Sequence, residues 1–214
     1  MPANQTKTRR SDLMVRSFIA VDIPAEVRKA LALAIAPLQK DLPKPLIRWV
    51  AVPNIHLTIK FLGDVSPVTL EALAEALKAE VLSHEGFLVS VGGLGAFPSP
   101  RQPRVIWIGL QVPPSLTELV GSIETTTTRL GIGAENRPFS PHLTVGRVGQ
   151  NLPGKDLRRI QTAVEGSTLG DLGTFRVESI HIYQSDLQPG GPVYSRLVSL
   201  PMKPVYFHQV FPTL

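Results

Sequence analysis

Apolar residues along the chain recur at two different spacings. From Pro67 to Leu82, the positions Leu70, Leu73, Ala74, Leu77 and Val81 follow the i, i+3, i+4, i+7, i+11 interval of one helix face. Val27, Leu31, Ile35 and Leu38 mark a second stripe in a helix that Pro24 opens and that runs to about Lys40. Further helices are predicted over 113–130, with Gly131 as the stop, and over about 155–164. Between them lie runs rich in β-branched and aromatic residues: 16–22, 46–50, 56–62, 87–91, 105–110, 142–148, 175–184 and 193–200. The Gly- and Pro-rich stretch 92–103 reads as the connection between two of these strands. Short loops and β-rich runs argue against a purely parallel doubly wound sheet. The expected class is α+β, with largely antiparallel sheets and helices on their outer faces.

One pattern occurs twice. Residues 55–64 read Ile-His-Leu-Thr-Ile-Lys-Phe-Leu-Gly-Asp, and residues 141–150 read Pro-His-Leu-Thr-Val-Gly-Arg-Val-Gly-Gln. With 27 Leu and 14 Thr in the chain, two His-Leu-Thr triplets among five histidines have a chance probability of roughly 0.0007. The repeat therefore points to two related half-units, each with one His-x-Thr strand. Alternate strand residues share a face, so His56 and Thr58 point one way while Leu57 and Ile59 point to the core. His142 and Thr144 stand in the same relation to Leu143 and Val145. Halves related by an approximate two-fold axis would set the two pairs across one cleft.

Composition narrows the choice of chemistry. The 214 residues carry a net charge of +5, 43% are apolar and 18% are charged, which fits a folded chain with a sizeable core. There is no cysteine, and so no thiol nucleophile, disulfide or Cys-ligated zinc. The longest run free of Asp, Glu, Lys and Arg, Gly86–Pro100, is too short and glycine-rich to span a bilayer. Arg16 and Asp22 interrupt the apolar stretch that would have to follow Arg9-Arg10 in an export signal, and a cytoplasmic protein is expected. Lys7, Arg9, Arg10 and Arg16 against Asp12 supply +3 of the net charge. Residues 1–15 are expected to be a flexible basic tail on a single body over 16–214, so the basic balance says little about a nucleic-acid groove. An anionic ligand would instead be held by placed cations in the body, among which Lys60, Arg101, Arg104, Arg137 and Arg147 are candidates.

Two opposed imidazoles can supply a general acid and a general base near neutral pH. Two hydroxyls can donate to oxygens on which charge accumulates. No paired carboxylate accompanies the motifs, no His-Glu-x-x-His spacing occurs, and no Ser-based nucleophile elbow is present. This set suits transfer at phosphorus without a metal or other cofactor. One histidine would take a proton from water, the other would protonate a poor, alcohol-type leaving oxygen, and the threonines would grip the phosphoryl oxygens. A strained five-membered cyclic phosphate fits this chemistry. Arg147 lies an odd number of residues after His142, so it reaches the same face either through a bulge, for which Gly146 is a candidate place, or by a long reach around the edge. Of the other histidines, His84 reads as a helix C-terminal partner, His181 as a strand residue and His208 as isolated.

The sequence resembles the two-histidine phosphoesterase superfamily, and within it the RNA 2′,3′-cyclic phosphodiesterases, also called the 2′-5′ RNA ligase family. The resemblance rests on Arg16–Pro24, Asn54–Asp64, Pro103–Trp107, Phe139–Arg147, Tyr183–Ser185 and Gly191–Tyr194, which span almost the whole body. It implies a bilobal fold of two pseudo-symmetric antiparallel half-units with a central cleft. It also implies hydrolysis of RNA-terminal 2′,3′-cyclic phosphate to 2′-phosphate, with His56 as proton donor and His142 as proton acceptor. Thr58, Thr144 and Arg147 would bind phosphate, and Phe18 and Trp107 would offer base-stacking surfaces. RNA ends or small cyclic phosphates are the expected partners, with a monomer and no membrane. A cyclic nucleotide or ADP-ribose cyclic phosphate as substrate, 2′-5′ ligation as the reverse reaction, and a non-catalytic RNA-end binding module remain as alternatives.

Overall fold

A computed structural model describes residues 14–204; the first thirteen residues of the expected tail, and His208, lie outside them. Strands β1 (Val15–Val21), β2 (Ile47–Trp49), β3 (Leu57–Val65), β4 (Phe87–Phe97), β5 (Val105–Gln111), β6 (His142–Val148), β7 (Asp171–Val177), β8 (Ser179–Gln188) and β9 (Gly191–Pro201) alternate with α1 (Ala25–Asp41), α2 (Pro67–Ser83), α3 (Pro114–Arg129) and α4 (Gly154–Glu165). The strands form one sheet in the order β7-β4-β5-β6-β3-β1-β8-β9, every neighbouring pair antiparallel, with β2 added beside β6. The α+β expectation is borne out. None of the helices among the described residues is long and apolar enough to cross a membrane.

The sheet has two four-stranded halves, β9-β8-β1-β3 and β6-β5-β4-β7, which meet where β3 pairs with β6 at Leu57 and Leu143. The halves of the sequence do not coincide with the halves of the sheet. β4, which follows α2, pairs with β5, and β8, which follows α4 and β7, pairs with β1. Beyond Leu143 the free edge of β6 is taken by β2, with Arg48 opposite Arg147 and Trp49 opposite Gly146.

Burial enforces the strand phase. Leu57, Ile59, Leu143 and Val145 join one core cluster with Leu73 and Leu77 of α2 and Leu116 and Ile123 of α3. Each such side chain contributes about 1.5–3 kcal/mol when fully buried. A one-residue slip of β3 would expose two of them and bury His56 and Thr58 in their place, which is why the face assignment is firm. α2 starts where a cap fixes it: Ser66 Oγ accepts from the Thr69 amide at 3.1 Å, and Pro67 fills the first helical turn.

Two strand boundaries differ from expectation. β4 continues through the glycines to Phe97 instead of ending at 91, and the reason is steric. A Cβ on Gly95 would stand 2.2 Å from the Trp107 indole, so glycine is what lets that ring lie across the strand. The run 175–184 is two strands, β7 paired with β4 and β8 paired with β1, with Glu178 carrying the chain from one half to the other.

The seat of β2 also rests on a glycine. A Cβ on Gly146 would meet Ile47 Cγ2 at 2.7 Å and Trp49 Cε3 at 3.3 Å. Trp49 is fixed from its other end by donation from Nε1 to the Leu42 carbonyl at 3.0 Å. Gly146→Val therefore has to displace β2 from β6. Overpacking of this kind costs about 1–3 kcal/mol; a denaturant unfolding curve superimposable on that of the unmodified protein would contradict this seating.

Candidate active site

The turn that precedes each His-Leu-Thr strand holds the imidazole in the same way. His56 follows a 3₁₀ turn over Val52–Asn54, and its Nδ1 lies 2.8 Å from the Asn54 carbonyl oxygen. His142 follows Pro141, and its Nδ1 lies 2.7 Å from the Ser140 carbonyl oxygen. A carbonyl can only accept, so in both rings Nδ1 carries the hydrogen and donates it, leaving Nε2 to exchange protons. The offset of two residues is identical in the two halves.

The Leu57–Leu143 pair sets the mutual geometry. In the antiparallel sense of β3 and β6, His56 falls toward Thr144, and Thr58 falls toward His142. The two histidines are then diagonal corners of a quartet, at about 7–8 Å between backbones. All four lie on the face opposite Leu57 and Leu143.

Both strands then carry the same irregularity. The pairing of β3 with β1 shifts register between Ile19/Ala20, at Ile59, and the pairing of β6 with β5 shifts between Ile106/Trp107, at Val145. Ile59 and Lys60, like Val145 and Gly146, are consecutive buried residues followed by an exposed one, Phe61 or Arg147. The extra residue returns Phe61 and Arg147 to the face of the quartet. They are equivalent positions in the two halves, one aromatic and one cationic.

A cavity of about 1010 Å³ opens over this face. His56, Thr58, Thr144, Arg147 and Phe18 line it, and His142 and Trp107 do not. Phe18 is 3% exposed and sits in a stack, 4.8 Å from the His56 ring at 23° and 5.4 Å from the Tyr183 ring at 17°. Both its faces are taken, so the expectation that Phe18 stacks a base is corrected: it backs the imidazole. Trp107 is also corrected, because it packs on Phe97 at 5.2 Å over Gly95, and Phe97 meets the His142 ring edge-on at 4.9 Å. Each histidine is thus buttressed by an aromatic. Lys60, a candidate cation, is 6% exposed and donates to Glu124 Oε2 at 2.7 Å and the Gly133 carbonyl at 2.9 Å, which removes it from the cleft. Arg137 is paired with Glu135, and Arg101 and Arg104 do not line the cavity.

Several cavity residues escaped the sequence reading: Lys44, Arg48, Asn54, Phe61 and Tyr194. Asn54 is legible as part of the motif context. Phe61 reaches the site through the β3 bulge, and Lys44, Arg48 and Tyr194 through long-range contacts of their segments that no local pattern encodes. His181 is buried, with Nδ1 3.0 Å from Ser199 Oγ and Nε2 3.3 Å from Ser179 Oγ. It flanks Asp22, which accepts from Tyr183 Oη at 2.6 Å and pairs with Arg196. Among the described residues no group of three or more His, Asp or Glu side chains is arranged to hold a metal ion.

Burial of His56 among Phe18 and Tyr194 pushes its pKa below 6.5, against opposing pulls from the Asn54 carbonyl and the Asp22 carboxylate. Burial thus favours the neutral ring.

An α+β sheet of two joined halves, each offering one imidazole and one hydroxyl on a shared face, is the architecture of a two-histidine phosphoesterase. The family model for LigT-like phosphoesterases matches the chain twice, over residues 21–107 and 108–194, and the chain belongs to that family. The RNA 2′,3′-cyclic phosphodiesterase of Methanothermobacter thermautotrophicus is 30% identical over 185 residues, covering 86% of this chain and 96% of the relative. The RNA 2′,3′-cyclic phosphodiesterase of Methanocaldococcus jannaschii is 34% identical over 180 residues, covering 84% and 96%. Among solved structures, E. coli LigT complexed with 3′-AMP has a TM-score of 0.70 at 28% identity, covering 88% of this chain and 98% of that one.

Tyr194 meets His56 edge-on at 5.3 Å and is itself only half-buried, so it can be truncated without emptying the core. Tyr194→Ala admits water to the imidazole, and relief of desolvation raises the His56 pKa toward 6.5. Histidine titration followed by NMR reads this directly; an unchanged or lower pKa would mean that burial is not what depresses it.

Proposed function

We propose that the chain hydrolyses RNA-terminal 2′,3′-cyclic phosphates to 2′-phosphates by acid–base catalysis between His56 and His142, without a metal. The observation that carries this reading is the duplicated anchoring of the two rings on either side of the Leu57–Leu143 pair. In this reading the two Nε2 atoms serve one phosphorus. The relatives named as RNA 2′,3′-cyclic phosphodiesterases, and the 3′-AMP bound by E. coli LigT, support a terminal nucleotide as the group that enters the cavity.

In this reaction water attacks phosphorus and gives its proton to His142 Nε2. The bond from phosphorus to O3′ breaks, and His56 Nε2 delivers a proton to O3′. The products are a 2′-phosphomonoester and a free 3′-hydroxyl. The Thr58 and Thr144 hydroxyls and the Arg147 guanidinium bind the non-bridging oxygens, where charge gathers. With a 5′-hydroxyl in place of water, the same histidine roles form a 2′-5′ bond as O3′ leaves, and the roles exchange when the 3′-hydroxyl attacks that bond and re-forms the cyclic phosphate.

The depressed pKa of His56 bears on its role as donor. The donor must be protonated, so kcat/KM falls as pH rises past the His56 pKa of the free enzyme, which lies below 6.5. An anionic phosphodiester beside the ring raises that pKa, so the alkaline limb of kcat stands at higher pH than that of kcat/KM. Coincident limbs above 6.5 would contradict the assignment of His56 as donor.

His56→Ala and His142→Ala should each lower kcat by about 10²–10⁴-fold on an oligonucleotide ending in a cyclic phosphate, because each removes one proton-transfer group. The unmodified protein should keep full activity in excess EDTA, and phosphorus NMR should show only the 2′-phosphate. Near-full activity of both variants would remove the two-histidine mechanism, and loss of activity in EDTA would remove its independence of metal.

A further inference from the structure

The short strand β2 places Arg48 directly opposite Arg147 of β6. Like charges facing each other across a strand pair destabilise it, and here no carboxylate intervenes. Among the described residues, Lys44, Arg48 and Arg147 make no ion pair and no side-chain hydrogen bond, whereas Lys60, Arg137 and Arg196 are paired with Glu124, Glu135 and Asp22. All three unpaired cations line the cavity over the histidines, together with Arg16, and no Asp or Glu lines it. Arg16 differs, since the β1–β3 register puts it opposite Asp64. The Arg48–Arg147 pair is where two cavity cations face each other across a strand pair.

Arg48 is the member of the pair that stands away from the reacting phosphorus. Arg147 is three residues beyond Thr144, past the bulge, and Arg48 stands on the far side of Arg147 from β5. At about 3.3 Å per strand residue, the Arg48 backbone lies about 7–10 Å along the sheet from Thr144, with the Arg147 side chain between it and the quartet. That is the distance of a neighbouring group on the same ligand. The opposite rim is apolar and open: Phe61, Leu187 and Val193 are 63%, 71% and 44% exposed and line the same cavity. A volume of about 1010 Å³ reaches the upper end of ligand pockets, which leaves room beyond one nucleotide.

We propose that Arg48, opposed to Arg147 and flanked by Lys44, forms a second anion subsite that takes the phosphate on the 5′ side of the terminal nucleoside. The proposal rests on the cyclic-phosphate reading of the same cavity and adds a requirement to it: the preferred substrate carries an upstream phosphate. An RNA strand enters with its backbone along β2 and its bases toward Phe61 and the β8–β9 hairpin. Arg48 makes no contact with the reacting phosphorus, so its contribution appears only when the upstream phosphate is present.

The test compares kcat/KM for three substrates, adenosine 2′,3′-cyclic phosphate, the same nucleotide bearing a 5′-phosphate, and a diadenosine ending in a cyclic phosphate. The unmodified protein should favour the second and third over the first by roughly 10–100-fold, the range of a charge-assisted contact. In Arg48→Ala this ratio should collapse toward one, and Arg48→Lys should keep part of it. An unchanged ratio in Arg48→Ala, or an equal loss on all three substrates, would overturn the subsite. A gain confined to the diadenosine and insensitive to Arg48 would assign the preference to base contacts and also overturn it. Should none of the three be hydrolysed, the cyclic-phosphate reading fails on its own, and binding still decides the subsite. For a trinucleotide with a terminal 2′-phosphate followed by fluorescence anisotropy, Arg48→Ala should reduce the slope of log K against log salt by about 0.7. An unchanged slope would reject the phosphate contact.

Discussion

The two halves of the sheet are joined where Leu57 packs beside Leu143, and the geometry of the cleft descends from that contact. Both side chains are buried in the core, so neither strand can rotate or slip without exposing them. Because the residues on either side of each leucine point the other way, burial of two apolar groups places two imidazoles and two hydroxyls on one surface. The halves part beyond this pair, and β2 fills the gap against β6. The cavity is the space that the divergence leaves.

What the halves share and where they differ both matter. Each ring donates to a carbonyl two residues earlier, and each strand bulges after its His-x-Thr segment, at Ile59 in one and Val145 in the other. The bulge delivers Phe61 on one side and Arg147 on the other. One half thus presents an aromatic wall and the other a basic one, an asymmetry suited to a ligand with a flat apolar part and an anionic part. The environments of the two rings diverge as well. His56 is packed between aromatics deep enough for burial to favour its neutral form, with the Asp22 carboxylate pulling the other way.

The α+β class, the helical stripes and the paired His-Leu-Thr strands were legible because they are written in local periodicity and direct repetition. A bulge before Arg147 was legible from its parity relative to His142, although it falls at Val145, one residue ahead of Gly146. The roles of Phe18, Trp107 and Lys60 were not, since a hydrophobic or basic residue on a strand carries no sign of which ring or carboxylate will cover it. The full length of β4 is not legible, because Gly92, Gly93 and Gly95 have the composition of a loop and only the Trp107 ring lying across Gly95 explains them. The division of 175–184 into two strands depends on which half of the sheet each segment joins, and pairing partners distant in sequence decide that. Arg48 stayed hidden on the same ground, as a three-residue strand whose meaning comes from the residue across from it.

The central claim is that a single phosphorus is addressed by both imidazoles at once. Long-range proton–nitrogen spectra of the histidine rings, recorded while adenosine 2′-monophosphate is titrated in, test it most directly. The account predicts that the Nε2 signals of His56 and His142 move together along one binding curve, with both Nδ1 hydrogens retained. A response at one ring alone, or two curves with separate midpoints, would contradict it.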